Sequence, residues 1–225
     1  MTRRILVVIG TPLPATLTHA LAAAYTAEAR AHGAEVRVID LAVDPVPDHP
    51  RTRDQLHAPR TEADRALDPE VARYLDDVRW ADHLTIVHPQ WWGTAPAALK
   101  AFIDRVFLSG ATFRYRQGTR TWDRLLKGRT GRVVMTMDSP RWWNRIVYRG
   151  AAEASLTRAT LGYCGVTTVG VTRFTPVRFS DESVRQSWID RMGTLGRTDA
   201  TRRARRGATR TDPAAAPRDE AASRV

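Results

Sequence analysis

HPQWWGTAPAALKAFIDRVF, residues 88–107, decides how the rest of the chain reads. It follows an apolar run, His83-Leu84-Thr85-Ile86-Val87, that predicts a β-strand, and it opens an amphipathic helix near Pro96. Between strand and helix comes a short loop with two adjacent tryptophans, a glycine and a threonine. In an open α/β sheet such a loop lies in the crevice at the carboxyl end of a strand, where ligands bind. Two indoles exposed there present a large apolar surface to water, so a flat ligand is expected to cover them. An isolated tryptophan would be read as core; a pair between a strand end and a helix start is read as a binding wall.

Outward from this stretch the pattern alternates. Arg4 to Gly10 predicts a buried strand, Thr16 to His32 a helix stopped by Gly33, and Ala34 to Leu41 a second strand. Residues 42–66 are rich in Pro, Asp and Arg and predict a long surface loop. A helix from Pro69 to Ala81 precedes the strand and helix already described. Residues 108–127 are irregular, a lid or a small hairpin beside the cleft. A fourth strand is expected over Arg132–Met137, a helix over Ile146–Tyr163, a fifth strand over Thr167–Val171 and a last helix over Asp181–Leu195. Ser180-Asp181-Glu182 is its cap. Parallel strands need helical crossovers, so five such repeats predict an α/β fold: a doubly wound, five-stranded parallel sheet with helices on both faces.

The 225 residues, 43% of them hydrophobic, suit one core. We therefore expect one domain over residues 1–196 and a disordered basic tail over 197–225, where apolar periodicity stops. No apolar run approaches the ~20 residues of a membrane helix. The N-terminus lacks a signal-peptide cleavage pattern after its apolar run, and the single cysteine suits a reducing compartment, so a cytoplasmic location is expected. The net charge is +11. The tail holds eight arginines against four acidic residues, and the rest of the excess is spread along the domain. A nucleic-acid role for Arg202-Arg203-Ala204-Arg205-Arg206 is the weakest reading; a solvated tail is preferred. A basic surface still attracts anionic partners, a phosphate-bearing cofactor among them.

The loop from Gly10 to Ala22, GTPLPATLTHALA, is the second constellation. A helix N-terminus presents unpaired N–H groups and partial positive charge, which suit a phosphate. Thr11, Thr16 and Thr18 add hydroxyls. Thr16 reads equally as a plain helix cap, and both readings stay open at this point. The loop is neither GxGxxG nor a Walker A sequence. The six histidines have no metal-ligand spacing and are read as solvent-facing or loop residues. Ser139 and Ser155 lack the GxSxG setting of a nucleophile, and Cys164 reads as a small core residue.

The 88–107 segment resembles the signature of the flavodoxin-like NAD(P)H quinone oxidoreductases of the DT-diaphorase type. The matching residues are Pro89, Trp91, Trp92, Pro96, Leu99, Lys100, Asp104, Arg105 and Val106, in order and spacing. Leu125-Leu126-Lys127-Gly128-Arg129 and Gly162-Tyr163-Cys164-Gly165 support the match, which covers roughly residues 3–195. The resemblance implies FMN or FAD as cofactor, NAD(P)H as co-substrate, a quinone or similar acceptor and a homodimer. It puts the flavin phosphate on the loop from Gly10 to Ala22, with Thr16-Leu17-Thr18 at the matching positions of the helix start. It puts the ring beside Pro89, Gln90, Trp91, Trp92 and Gly93, with backbone groups of Trp92 and Gly93 at the polar edge. Hydride then passes through flavin N5, and no nucleophile or acid–base dyad is required.

A third contact region follows the fourth strand at Met137, Asp138 and Ser139, where the family has a Thr-Gly-Gly turn and this chain departs from it. Arg141, Arg145 or Tyr148 is then the candidate for stabilising negative charge on the ring. The departure motivates an alternative, a non-catalytic regulatory or flavin-binding module. An electron-carrying flavodoxin fits poorly, because those proteins are typically acidic.

Overall fold

The computed structural model describes residues 2–61 and 63–202. Strand β1 (Arg4–Ile9) leads through helix α1 (Leu17–Ala31) to β2 (Glu35–Asp40). Helix α2 (Pro69–Trp80), β3 (His83–Pro89) and α3 (Ala97–Val106) follow. Strands β4 (Phe113–Tyr115) and β5 (Trp122–Arg124) make an antiparallel hairpin within the irregular stretch. The chain continues with β6 (Thr130–Thr136), short helices α4 (Arg141–Ile146) and α5 (Ala151–Ala154), β7 (Thr167–Phe174) and α6 (Glu182–Thr201). The main sheet has the order β2-β1-β3-β6-β7 and all its pairings are parallel, as the alternating pattern predicts.

The apolar runs are nearly continuous because both faces of the sheet are covered. Ile5, Val7 and Ile9 meet Leu21, Tyr25 and Ala29 of α1 and Met192 of α6. Leu6 and Val8 point the other way and join Tyr74, Val78, Leu99, Phe102 and Leu156. In α3 the buried residues Leu99, Phe102 and Val106 recur at helical spacing, so this helix turns one face into the core shared with Leu6, Val8, Leu84 and Ile86.

Two helical expectations are corrected. The helix expected over Ile146–Tyr163 is broken at Gly150, which has φ +62°. Before it stands α4; after it, α5 runs into a π-helical stretch over Ser155–Gly162. The last helix does not stop at Leu195 but runs to Thr201, so residues 197–201 belong to the fold rather than to a tail. Its final turns carry no apolar periodicity because a glycine and an ion pair seat them. A Cβ at Gly196 would lie 2.2 Å from the carbonyl oxygen of Tyr25, while Asp199 is fully buried. The rest of the expected tail, residues 203–225, lies outside the described residues.

Gly196 gives the first prediction. The obstacle to a methyl group there is backbone, so α6 must lift away from α1. Gly196→Ala is expected to lower stability by about 1–3 kcal/mol, the usual range for overpacking. Urea unfolding at neutral pH checks it; an unchanged midpoint would mean that the two helices slide apart freely.

Candidate functional site

Three loops leave the carboxyl ends of adjacent strands β1, β3 and β6 and gather at one edge of the sheet. Gly10 N–H donates to Val87 O (2.8 Å) and Gln90 N–H to Thr136 O (2.7 Å), so the strand ends are level. A Cβ at Gly10 would stand 2.7 Å from Leu99 Cδ2 and 3.2 Å from His88 Cβ. Only a glycine lets the first loop start so close to α3.

In that loop, Thr11 is buried and its Oγ1 accepts from Leu13 N–H (3.3 Å). Residues 12–15 are exposed, and Ala15 has φ +56°. Thr16 is the N-cap of α1: its N–H donates to His19 Nδ1 (3.2 Å), and its Oγ1 lies 2.9 Å from the same nitrogen. With Nδ1 accepting, the ring proton sits on Nε2, 3.2 Å from Asp40 Oδ1. The cap reading of Thr16 therefore holds, and it leaves the phosphate reading intact. The N–H groups of Leu17 and Thr18 have no acceptor among the described residues, as expected for a first helical turn.

The loop after β3 is a two-residue turn. Trp91 and Thr94 exchange backbone hydrogen bonds of 2.9 Å each way, and the residues between them, Trp92 and Gly93, have φ +50° and +75°. Positive φ at both central positions is the turn type that glycine favours and tryptophan does not. The N–H groups of Trp92 and Gly93 are likewise without acceptors among the described residues. Trp92 is wholly exposed and Trp91 about a third exposed, so neither indole serves as core. The Tyr148 ring covers Gly93 from below, 3.5 Å from where a Cβ would be.

The loop after β6 ties its polar groups to its own neighbours. Met137 is core, and its N–H donates to Phe174 O (3.0 Å). Asp138 Oδ1 accepts from Arg178 N–H (2.7 Å) and Ser139 O from Thr175 Oγ1 (2.7 Å). These polar groups tie the loop to residues 175–178, and Pro140 then starts α4. From Gln90 a chain of contacts crosses the site floor. Gln90 Nε2 donates to Asn144 Oδ1 (2.8 Å), Asn144 Nδ2 to Glu153 Oε1 (2.8 Å), and Arg173 Nε lies 2.5 Å from the same oxygen. Burial opposes the charge on Glu153, but the bonds from Arg173 and Asn144 outweigh it and hold the carboxyl below its ordinary range. Asn144, Glu153 and Arg173 are absent from the expected site, because no local pattern marks residues that meet only in three dimensions.

The histidine reading needs correction at two positions: His83 and His88 are fully buried. His88 Nδ1–H donates to Pro89 O (2.8 Å), leaving Nε2 as an acceptor without a partner among the described residues. Burial pushes its pKa down to about 4, against a smaller opposing pull from Pro89 O and Glu153. The unfolded chain, with a pKa near 6.5, binds this proton sooner than the folded one. Stability is therefore expected to fall as pH drops from about 6.5 towards 4. His88→Gln should flatten that part of the profile in urea unfolding; a native-like slope in the variant would sink the assignment.

The donors present fit a flavin monophosphate. The unpaired amides of one helix N-terminus follow β1, and two turn amides beside exposed indoles follow the neighbouring strand β3. No cluster of His, Cys, Asp or Glu able to hold a metal occurs among the described residues. An open parallel sheet with its loops gathered at the switch between β1 and β3 defines a doubly wound α/β protein with a ligand crevice at that switch. Residues 3–198 match the family described as Flavodoxin-like fold. The FMN-dependent NADH:quinone oxidoreductase of Delftia acidovorans is 30% identical over 155 residues, covering 67% of this chain and 72% of the relative. The enzyme of the same name from Alcanivorax borkumensis is 34% identical over 88 residues, and there this chain spans only 44% of the relative's length. Among solved structures, Smu.1420 from Streptococcus mutans is 26% identical with a TM-score of 0.68, covering 87% of this chain and 99% of that one. The chain belongs to the flavodoxin-like family of NAD(P)H quinone oxidoreductases.

Proposed function

We propose that this chain is an FMN-dependent oxidoreductase that carries a hydride from NADH or NADPH to quinones or similar acceptors. The observation that carries the reading is the Trp92-Gly93 turn, whose two unpaired amides follow β3, the strand paired with the β1 that leads to the unpaired amides of α1. FMN is preferred to FAD because the relatives named above are FMN-dependent and one helix N-terminus suits one phosphate. Bound FMN supplies the hydride-accepting and hydride-donating chemistry.

The protein's share is placement. The amides of Leu17 and Thr18 hold the phosphate, with the hydroxyls of Thr11, Thr16 and Thr18 around it. The amides of Trp92 and Gly93 donate to the polar edge of the ring, and Trp91 and Trp92 wall its apolar part. Pro89 and Gln90 set the height of the turn, Gln90 through its bond to Asn144. The backbone of Met137, Asp138 and Ser139 borders the far side. A homodimer, a cytoplasmic location and a quinone as the physiological acceptor belong to the same proposal. Among the described residues no helix is long and apolar enough to cross a membrane.

The alternative, a flavin-binding module without turnover, draws support from the β6 loop, where Asp138 is spent on Arg178 N–H. Purified protein mixed with FMN is expected to turn yellow and to oxidise NADH with a simple benzoquinone in two-electron steps. Yellow protein without turnover would favour the module; a stable semiquinone on redox titration would favour an electron carrier. Colourless protein that takes up neither FMN nor FAD would end the flavin reading altogether.

A further inference from the structure

Four side chains in a row fix which end of the Gln90 amide is free. Arg173 on β7 and Asn144 on α4 both donate to Glu153 Oε1, at 2.5 and 2.8 Å, and Glu153 and Asn144 are buried. A carboxylate oxygen can only accept, so the NH2 of Asn144 faces it. Asn144 Oδ1 is thereby turned to Gln90, where it accepts from Nε2 at 2.8 Å. Flipping either amide would set two N–H groups or two oxygens against each other and leave buried polar groups unpaired. Gln90 is half-buried, and its Oε1, turned off Asn144, has no donor among the described residues.

Gln90 stands in the loop between Pro89 and the Trp92-Gly93 turn, and of residues 89–93 it alone carries a side-chain acceptor. The turn itself offers donors, the N–H groups of Trp92 and Gly93. An isoalloxazine ring has acceptors along its polar edge, at N1, O2, O4 and N5. In the oxidised state it has a single N–H, at N3. The donors of the turn suit the ring's acceptors. An acceptor beside them has one group to meet.

We propose that Glu153, acting through Asn144, holds Gln90 with its carbonyl oxygen toward the ring, where it accepts from flavin N3–H. Gln90 is then a contact that selects the cofactor, and Asn144 and Glu153 are positioning residues. Flavin binding at this loop, proposed above, is the condition on which the assignment rests. The three side chains come from the β3 loop, α4 and α5, so the polarity of the site is set by how those elements pack. Arg173 on β7 fixes the far end of the row.

The test is fluorescence titration of the full chain with FMN and with 3-methyl-FMN, which lacks the N3 proton. The native chain is expected to bind the methylated form about ten-fold more weakly, the worth of one hydrogen bond. Gln90→Met removes the acceptor and should bring the two affinities within about two-fold of each other. Glu153→Leu and Asn144→Leu free the Gln90 amide and should shrink the ratio in the same way. Glu153→Gln should keep the native ratio, because its carbonyl oxygen still serves both Arg173 and Asn144 while its NH2 in that place would face two donors. A side chain that served stability alone would weaken both flavins together and leave the ratio unmoved. Should Glu153→Leu not fold, Asn144→Leu decides the matter, since it leaves Glu153 paired with Arg173. A native chain that binds both flavins equally would overturn the proposal and spare the flavin reading. The native ratio persisting in Gln90→Met or Asn144→Leu would overturn it too, as would its loss in Glu153→Gln. A chain that takes up neither flavin would end both.

Discussion

Asp199→Ala is expected to lower the unfolding free energy by about 3–5 kcal/mol, the range seen when one partner of a buried ion pair is removed. Arg132 grips the carboxylate with two bonds, Nε to Oδ2 at 2.6 Å and Nη2 to Oδ1 at 2.9 Å. Tyr25 OH donates to Oδ2 (3.0 Å), itself accepting from Thr85 Oγ1 (2.9 Å), and His83 Nε2 lies 3.2 Å away. Asp199 and His83 are fully buried and Arg132 nearly so. A Cβ at Gly170 would come within 2.6 Å of Arg132 Nη1, so β7 leaves room for the guanidinium. Without Asp199 a buried guanidinium loses its counter-charge, and α6 loses its grip on β3, β6 and α1 together.

The pH dependence of this pair has a definite sign. Burial works against the charge on Asp199, yet Arg132 and the neighbouring His83 hold the carboxyl well below the usual range. Burial also pushes His83 down, so Arg132 supplies the lasting positive charge. A carboxyl with a depressed folded pKa contributes fully above its unfolded value, near 3.9, and the contribution fades as pH falls below that. The native chain should therefore lose this stability only in strong acid, while Asp199→Ala should start low and change little there. Urea unfolding across pH checks both; a variant midpoint equal to the native one at pH 7 would show that the ion pair contributes nothing net.

Gly93→Val is expected to weaken FMN binding by ten- to a hundred-fold. A β-branched residue at φ +75° is a genuine outlier, costing of the order of 1–3 kcal/mol, and each 1.4 kcal/mol is a factor of ten in affinity. The added side chain also starts 3.5 Å from the Tyr148 ring. The turn is expected to relieve the strain by rotating the amides of Trp92 and Gly93 away from the ring's edge. Since the turn is exposed, the melting temperature without FMN should move little, which separates a binding defect from a folding one. Fluorescence titration with FMN measures the effect; native-like affinity in the variant would mean that these amides do not touch the flavin.

Much of the fold was legible because its strands and helices carry their own pattern. The run Ile5 to Ile9 needs burial on both faces, and the Leu99, Phe102 and Val106 spacing needs a sheet beneath it. The turn at Trp92-Gly93 was legible for a similar local reason, a glycine between a strand and a helix. Elements that depend on distant partners were not. Arg141–Ile146 carries Trp142, Trp143 and Ile146 but turns them outward, because Asn144 finds Gln90 and Glu153. The last turns of α6 look like tail because their anchors are a glycine against Tyr25 and an aspartate against Arg132. His83 and His88 looked like solvent-facing residues because nothing beside them in the chain shows that β3 is central to the sheet.

The sequence by itself determined the class of sheet, since apolar periodicity and glycine placement act over a few residues, while the 88–107 motif carried the resemblance to the family and, with it, the expected part of the Trp92-Gly93 turn. Only the tertiary structure decided that Thr16 serves its own helix through His19, that α6 is locked by a buried ion pair and that α4 shows its tryptophans to solvent. Those outcomes depend on hydrogen bonds and charges between residues far apart in the chain, whose strength comes from the burial that folding itself creates.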